Sequence, residues 1–218
     1  MRTDKELQRD VQAELAWEPS IKEAEIGVAV KDAVVTLTGY VDNFAEKYLA
    51  ERTAERVSGV KAIADDLKVK LPFAFRRTDT DVAHAVVNAL KQHIQVPDDR
   101  IKAKIEDGWV TLDGDVEWQY QKNAAEGAVR YLPGVVGVIN AINIKPKRVS
   151  TFEVSTKIKD ALRRHAELDA DRIVVEAAGG RVTLKGSVRS YAERQDAERA
   201  AWAAPGVTTV DDRISIRP

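Results

Sequence analysis

The sequence predicts an α+β protein of three tandem αββαβ units, each with two helices packed on one face of a three-stranded mixed sheet. Two observations carry this reading. A strand signature occurs three times, as Val35-Thr36-Leu37-Thr38-Gly39, Val110-Thr111-Leu112-Asp113-Gly114 and Val182-Thr183-Leu184-Lys185-Gly186, at spacings of 75 and 72 residues. Each copy is followed at the same offsets by an apolar residue (Val41, Val116, Val188) and by a second glycine (Gly59, Gly134, Gly206). Such a fixed period marks a repeated supersecondary unit. It divides the 218 residues into units at 1–72, 76–146 and 149–218, instead of one or two domains of about 100–150 residues.

Each unit opens on a hydroxyl residue three positions before a carboxylate: Thr3 before Glu6, Thr78 before Asp81, Ser150 before Glu153. That spacing matches or approximates a capping box and predicts a helix start. Leu7/Val11/Leu15, Val82/Val86/Leu90 and Val154/Ile158/Leu162 then recur every fourth residue and line one helical face. Ile26/Val28/Val30, Ile101/Ala103/Ile105 and Ile173/Val175/Ala177 alternate with period two, as a half-buried strand does. Asp107-Gly108 and Gly179-Gly180 supply a tight hairpin turn, so the signature strand returns antiparallel; the first copy has Asp32-Ala33, a poorer turn sequence. Gly39, Gly114 and Gly186 are expected to close that strand where the chain bends or meets another element closely. A second helix follows, with Ala50, Ala125 and Ala197 and then Ala54, Val129 and Ala201 at packing positions, and is expected to end at Gly59, Gly134 and Gly206. Leu67/Val69, Ile142/Ile144 and Ile214/Ile216 alternate as a closing strand.

Composition narrows the function classes. Hydrophobic residues at 44% and charged residues at 32%, with mean hydropathy −0.33, suit a globular chain. Zero cysteines exclude disulfides, thiolate catalysis and cysteine-ligated metals. Thirty-four basic against thirty-five acidic residues leave net −1, which argues against a nucleic-acid binder. The charge is uneven: residues 1–75 carry −3, and 76–148 and 149–218 carry +1 each. No G-x-S-x-G, P-loop, dinucleotide or H-E-x-x-H motif occurs, and no catalytic constellation, cofactor or metal is expected. No signal-peptide or membrane-spanning stretch is apparent, so a cytoplasmic protein is expected, peripheral at the inner membrane, or periplasmic if the N-terminus is processed.

With V-x-L-x-G-x-V in every copy, a second helix ending near Gly59-Val60, Gly134-Val135 and Gly206-Val207, and closing segments Ile63-Ala64-Asp65, Val138-Ile139-Asn140 and Val210-Asp211-Asp212, the unit resembles the BON domain (bacterial OsmY and nodulation domain). The resemblance implies a non-enzymatic module of osmotic and envelope-stress proteins that associates with phospholipid membranes. It also leaves open a protein-interaction adaptor or chaperone-like role and a monovalent-cation sensor.

For an anionic phospholipid surface, basic residues beside interfacial aromatics are the candidates. The middle copy offers Trp118, Tyr120 and Lys122 at the start of its second helix, with Lys102, Lys104 and Lys145 on its strands; the third offers Arg189 and Arg194. Phe44 and Tyr48 in the first copy, and Tyr191 in the third, occupy the equivalent segment. The other reading makes these aromatics sheet-edge caps and the lysines ordinary solvated residues. Trp17 and Trp202 are assigned to core or interdomain packing, Phe73 and Phe75 of the first linker to interdomain packing, and Trp109 to the edge of the middle sheet. His93 and His165 fit a helix C-terminus, and Asp98, Asp99, Asp169 and Asp171 fit turns.

Overall fold

The computed structural model describes residues 2–146, 154–164 and 172–217. Each opening helix forms where its cap predicts. Helix α1 (Asp4–Trp17) starts at Thr3, whose hydroxyl accepts from the Glu6 N–H while the Glu6 carboxylate accepts from the Thr3 N–H. Helix α3 (Asp79–Gln92) repeats this with Thr78 and Asp81. Helix α5 spans Val154–Arg164; the start signal at Ser150–Glu153 lies outside the described residues, as do His165, Asp169 and Asp171. The four-residue apolar periodicity becomes the buried face in all three helices.

The alternating segments pair as antiparallel hairpins: β1 (Ile26–Lys31) with β2 (Val34–Val41), β4 (Ile101–Glu106) with β5 (Trp109–Val116), and β8 (Ile173–Ala178) with β9 (Arg181–Val188). After helices α2 (Phe44–Glu55), α4 (Gln119–Arg130) and α6 (Tyr191–Trp202), the closing strand lies parallel to the signature strand, which is therefore central. These closing strands are β3 (Ala62–Val69) and β10 (Thr209–Ile216), and in the middle unit the pair β6 (Gly137–Asn140) and β7 (Asn143–Ile144). Each unit closes its own apolar core between helices and sheet, centred on Val35/Leu37, Val110/Leu112 and Val182/Leu184.

Several details depart from the sequence reading. Asp32 and Ala33 both take positive φ, +54° and +63°. The Asp4 carboxylate holds them there, accepting from the Asp32 and Ala33 N–H groups at 2.9 and 3.0 Å. Asp79 holds Asp107 and Gly108 in the same way, at 2.9 Å each. A carboxylate on the first helix thus does for the hairpin what a glycine does elsewhere.

The signature glycines do not close their strand but lie inside it, two residues before its end. A Cβ at Gly39, Gly114 or Gly186 would stand 2.1, 2.1 or 1.9 Å from the carbonyl oxygen of Glu25, Arg100 or Arg172, and their φ values are +120°, +142° and +132°. Close backbone approach and left-handed φ together leave room for glycine alone. The second helices stop at Glu55, Arg130 and Trp202, ahead of Gly59, Gly134 and Gly206, because a short turn intervenes in which Val57, Leu132 and Ala204 each donate back to the last helical residues. The middle closing strand breaks after Asn140, whose side chain turns toward α4 and donates to the Lys122 carbonyl at 2.9 Å.

Phe73 and Trp17 are 88% and 84% exposed, so neither takes part in packing; the junction between units is made by the second helices instead, away from the linker and from the end of α1. Trp109 does lie across the sheet, its indole over Gly137 of the neighbouring strand.

Candidate functional site

The start of each second helix is held by a side chain of its own first turn. Glu46 accepts from the Asp42 N–H at 3.0 Å, Gln121 from the Glu117 and Trp118 N–H groups at 3.0 and 3.1 Å, and Glu193 from the Arg189 N–H at 2.9 Å. A basic residue one position further on ties the helix to the closing strand. Lys47 donates to the Leu67 carbonyl at 2.6 Å, Lys122 to the Ile142 carbonyl at 2.8 Å, and Arg194 meets the Asp212 carboxylate at 2.6 Å. The Asp or Asn of the closing strand completes this motif: Asp65, Asn140 and Asp212 each accept from the N–H two residues on.

So fixed, the three helices α2, α4 and α6 converge. Phe44 packs against the middle core, and the Arg130 guanidinium lies 3.3 Å from the Tyr48 ring centroid. Arg52 donates to Gln195, which donates to Glu55 at 2.6 Å. Between the helices lies an open depression of about 940 Å3. Its walls include rings from all three units, Tyr48, Trp118, Tyr120, Tyr191 and Trp202. Trp118 and Tyr120 stand with centroids 6.4 Å apart and planes tilted by 30°.

Charge in the depression is mostly paired. Arg52 faces Glu55 at 3.1 Å, Arg130 faces Glu126 at 2.5 Å, and Arg199 faces Asp196. Arg130 Nε is buried without an acceptor among the described residues. Burial raises the Tyr191 phenol above its ordinary range, and the charges of Glu55, Glu198 and Glu51 add to this. Burial likewise raises Glu55, and raises Glu51 with Glu55 and Asp65 as further causes.

The structure therefore brings Trp118 and Tyr120 together with Tyr48, Tyr191 and Trp202, and separates them from the lysines grouped with them by sequence. Lys122 and Arg194 hold the closing strands. Lys104 pairs with Glu106 at 2.8 Å, Lys145 with Asp115 at 2.7 Å, and Arg189 with Glu193 at 2.9 Å. Lys102 and Lys145 share a shallow recess with Arg100 on the middle sheet. The signal for the junction was in the sequence, as an aromatic at the start of each second helix; what joins the three is tertiary. His93 caps α3, its N–H donating to the Leu90 carbonyl at 3.3 Å, and its Nδ1 is buried with no partner among the described residues. Among those residues no three His, Cys, Asp or Glu side chains are grouped to hold a metal ion, and no helix is long and apolar enough to cross a membrane.

The first linker makes a second candidate surface. Phe73–Phe75 is a turn of 3-10 helix after Pro72, with Phe73 and Phe75 88% and 49% exposed. Arg76 and Arg77 beside them are exposed, and among the described residues their guanidiniums donate to the backbone carbonyls of Leu71, Ala74 and Arg76 and to no side chain.

The BON domain model matches residues 3–70, 78–146 and 150–218. The chain belongs to the BON domain family. Its three BON repeats are similar to the Osmotically-inducible protein Y of Escherichia coli (strain K12), at 30% identity over 146 residues, which is 65% of this chain and 73% of that protein. Among solved structures, the BON chain matches CdsD, a structural protein of the type III secretion system of Chlamydia trachomatis, at 13% identity over 96% of this chain and 91% of that one, with a TM-score of 0.28. It matches the PrgH periplasmic domain at 9% identity over 89% and 96%, with a TM-score of 0.24. Likenesses this slight carry no argument.

Proposed function

We propose a non-enzymatic osmotic-stress binding protein that associates peripherally with anionic phospholipid, at the inner membrane, through the linker between its first two BON repeats. The observation that carries this reading is the exposed pair Phe73 and Phe75 beside Arg76 and Arg77, whose guanidiniums have no carboxylate partner among the described residues. Aromatic rings next to exposed arginines that form no salt bridge among the described residues suit the headgroup boundary, where the rings enter apolar surroundings and the charges stay with phosphate. The similarity to an osmotically inducible protein supports the stress context.

Two arginines contribute about 2 kcal/mol at an anionic surface, and partial burial of two rings adds roughly as much. Binding is therefore weak and salt-sensitive. Co-sedimentation of the full chain with phosphatidylglycerol-containing and pure phosphatidylcholine vesicles, across salt, tests it. The expected result is an anionic preference at low salt that is lost in Phe73→Ser/Phe75→Ser and in Arg76→Gln/Arg77→Gln. The exposed positions of these residues let both variants keep the wild-type circular dichroism. No anionic preference at low salt, or unchanged binding in both variants, overturns the reading.

A further inference from the structure

The depression between α2, α4 and α6 lies apart from the linker patch and has its own chemistry. We propose that it binds a methylated ammonium group, as in choline, on the ring faces of Trp118, Tyr120 and Trp202, with the Glu198 carboxylate as counter-charge.

Ring occupancy is the first argument. Five rings from three repeats reach one cavity. Two of them already carry a cation of the protein itself: Arg130 lies over Tyr48 at 3.3 Å and Arg194 over Tyr191 at 5.8 Å. Trp118 and Tyr120 stand against each other with no protein cation over either ring among the described residues. Trp and Tyr faces attract a desolvated cation placed within about 6 Å of the ring centroid.

The second argument is the balance of charge. Each arginine in the depression has a carboxylate: Arg52 has Glu55, Arg130 has Glu126 and Arg199 has Asp196. Glu198 has none among the described residues; it meets only the Trp202 indole N–H, at 3.2 Å. With the arginines paired, Glu198 is the carboxylate of the lining that has no cation of its own among the described residues, and beside the open rings it favours a cation there.

The kind of cation follows from the walls. A small bare cation holds its water tightly and needs a set of oxygen ligands, and no such cluster of carboxylates is present among the described residues. A methylated ammonium is weakly hydrated and broad, so ring faces with a single carboxylate suit it. The cavity of about 940 Å3 also lies within the range of roughly 300–1,000 Å3 usual for small-molecule sites.

The same group occurs on free compounds and on phosphocholine lipid headgroups, and the test separates these sources. The full chain is titrated with choline, tetramethylammonium, potassium and the neutral isostere 3,3-dimethylbutanol, read by tryptophan fluorescence and calorimetry. Choline and tetramethylammonium are expected to saturate, with the isostere and potassium about tenfold weaker or worse. Glu198→Gln, Trp118→Leu and Tyr120→Leu are each expected to weaken choline about three- to tenfold, whereas Phe73→Ser/Phe75→Ser leaves it unchanged. Tyr120 is half exposed, so its variant serves if Trp118→Leu misfolds. Sedimentation with pure phosphatidylcholine vesicles that depends on Trp118 assigns the source to the lipid; saturable choline binding without it assigns a free compound. Equal affinity for choline and its isostere, or no saturation by either methylated ammonium, overturns the proposal and leaves the linker reading standing.

Discussion

Alanine at Gly114 tests the central claim about the repeated signature. The substitution places a methyl group 2.1 Å from the Arg100 carbonyl oxygen at φ +142°. A carbon and an oxygen rest no closer than about 3.3 Å, so the backbones must part by about 1 Å where β4 meets β5 at Ile101 and Gly114. The unfavourable φ costs about 1–3 kcal/mol, and one or two weakened ladder hydrogen bonds add about 1 kcal/mol each. The sum, roughly 2–5 kcal/mol, is a large share of the whole stability of a unit of about 70 residues, which is on the order of 4–10 kcal/mol. Gly127, in the middle of α4, supplies the control: its added methyl meets nothing within 4 Å. Gly127→Ala is expected to stabilise by about 0.5–1 kcal/mol, because a helical glycine forfeits more backbone entropy. Urea denaturation followed by circular dichroism and by the fluorescence of Trp109 and Trp118 measures both. A loss below about 1 kcal/mol for Gly114→Ala, or destabilisation by Gly127→Ala, refutes the reasoning.

Two further predictions concern carboxylates. Asp4→Ala is expected to lower the melting temperature more than Asp79→Ala, with costs of about 2 and 1 kcal/mol, because Asp4 restrains Ala33 at positive φ whereas Asp79 restrains a glycine; equal losses would argue against the carboxylate clamp. Burial raises Glu51, so its folded form resists ionising and its charge destabilises above the folded pKa, an effect absent below the unfolded value. Glu51→Gln should therefore raise the denaturation midpoint at pH 7 and leave it unchanged below about pH 4. Glu6 and Asp81 act oppositely: their hydrogen bonds to Thr3 and Thr78 lower them, so their contribution is present at neutral pH and lost as pH falls through the folded values. A Glu51→Gln gain that persists in acid would contradict the burial argument.

The elements that could be read in advance are those whose causes are local. Thr3 and Thr78 cap because a hydroxyl and a carboxylate three residues on meet the free N–H groups of the same turn. Leu7, Val11 and Leu15 share a face because a helix turns once in about 3.6 residues, and the structure buries all three. The Asp4 clamp was not legible, because its partners lie 28 and 29 residues away and nothing in Asp32-Ala33 advertises them. Lys122 looked like a surface cation beside two aromatics, but its ammonium reaches a carbonyl 20 residues on. Phe73 and Phe75 read as packing residues from an apolar pair in a short linker, but the contact between the first two units runs through Phe44, Tyr48 and Arg130 on the second helices and leaves both rings exposed.

The sequence by itself determined three copies of one αββαβ unit, their helices, hairpins and core positions, since periodicity and capping act within a few residues and the repeat states them three times. Only the tertiary structure decided that three separate second helices share one depression, which charges are spent within the fold, and which remain. Those outcomes depend on distances between groups as far apart in the chain as Arg52 and Gln195, and relative placement of closed units is set by side-chain fit across their surfaces, which local pattern does not encode.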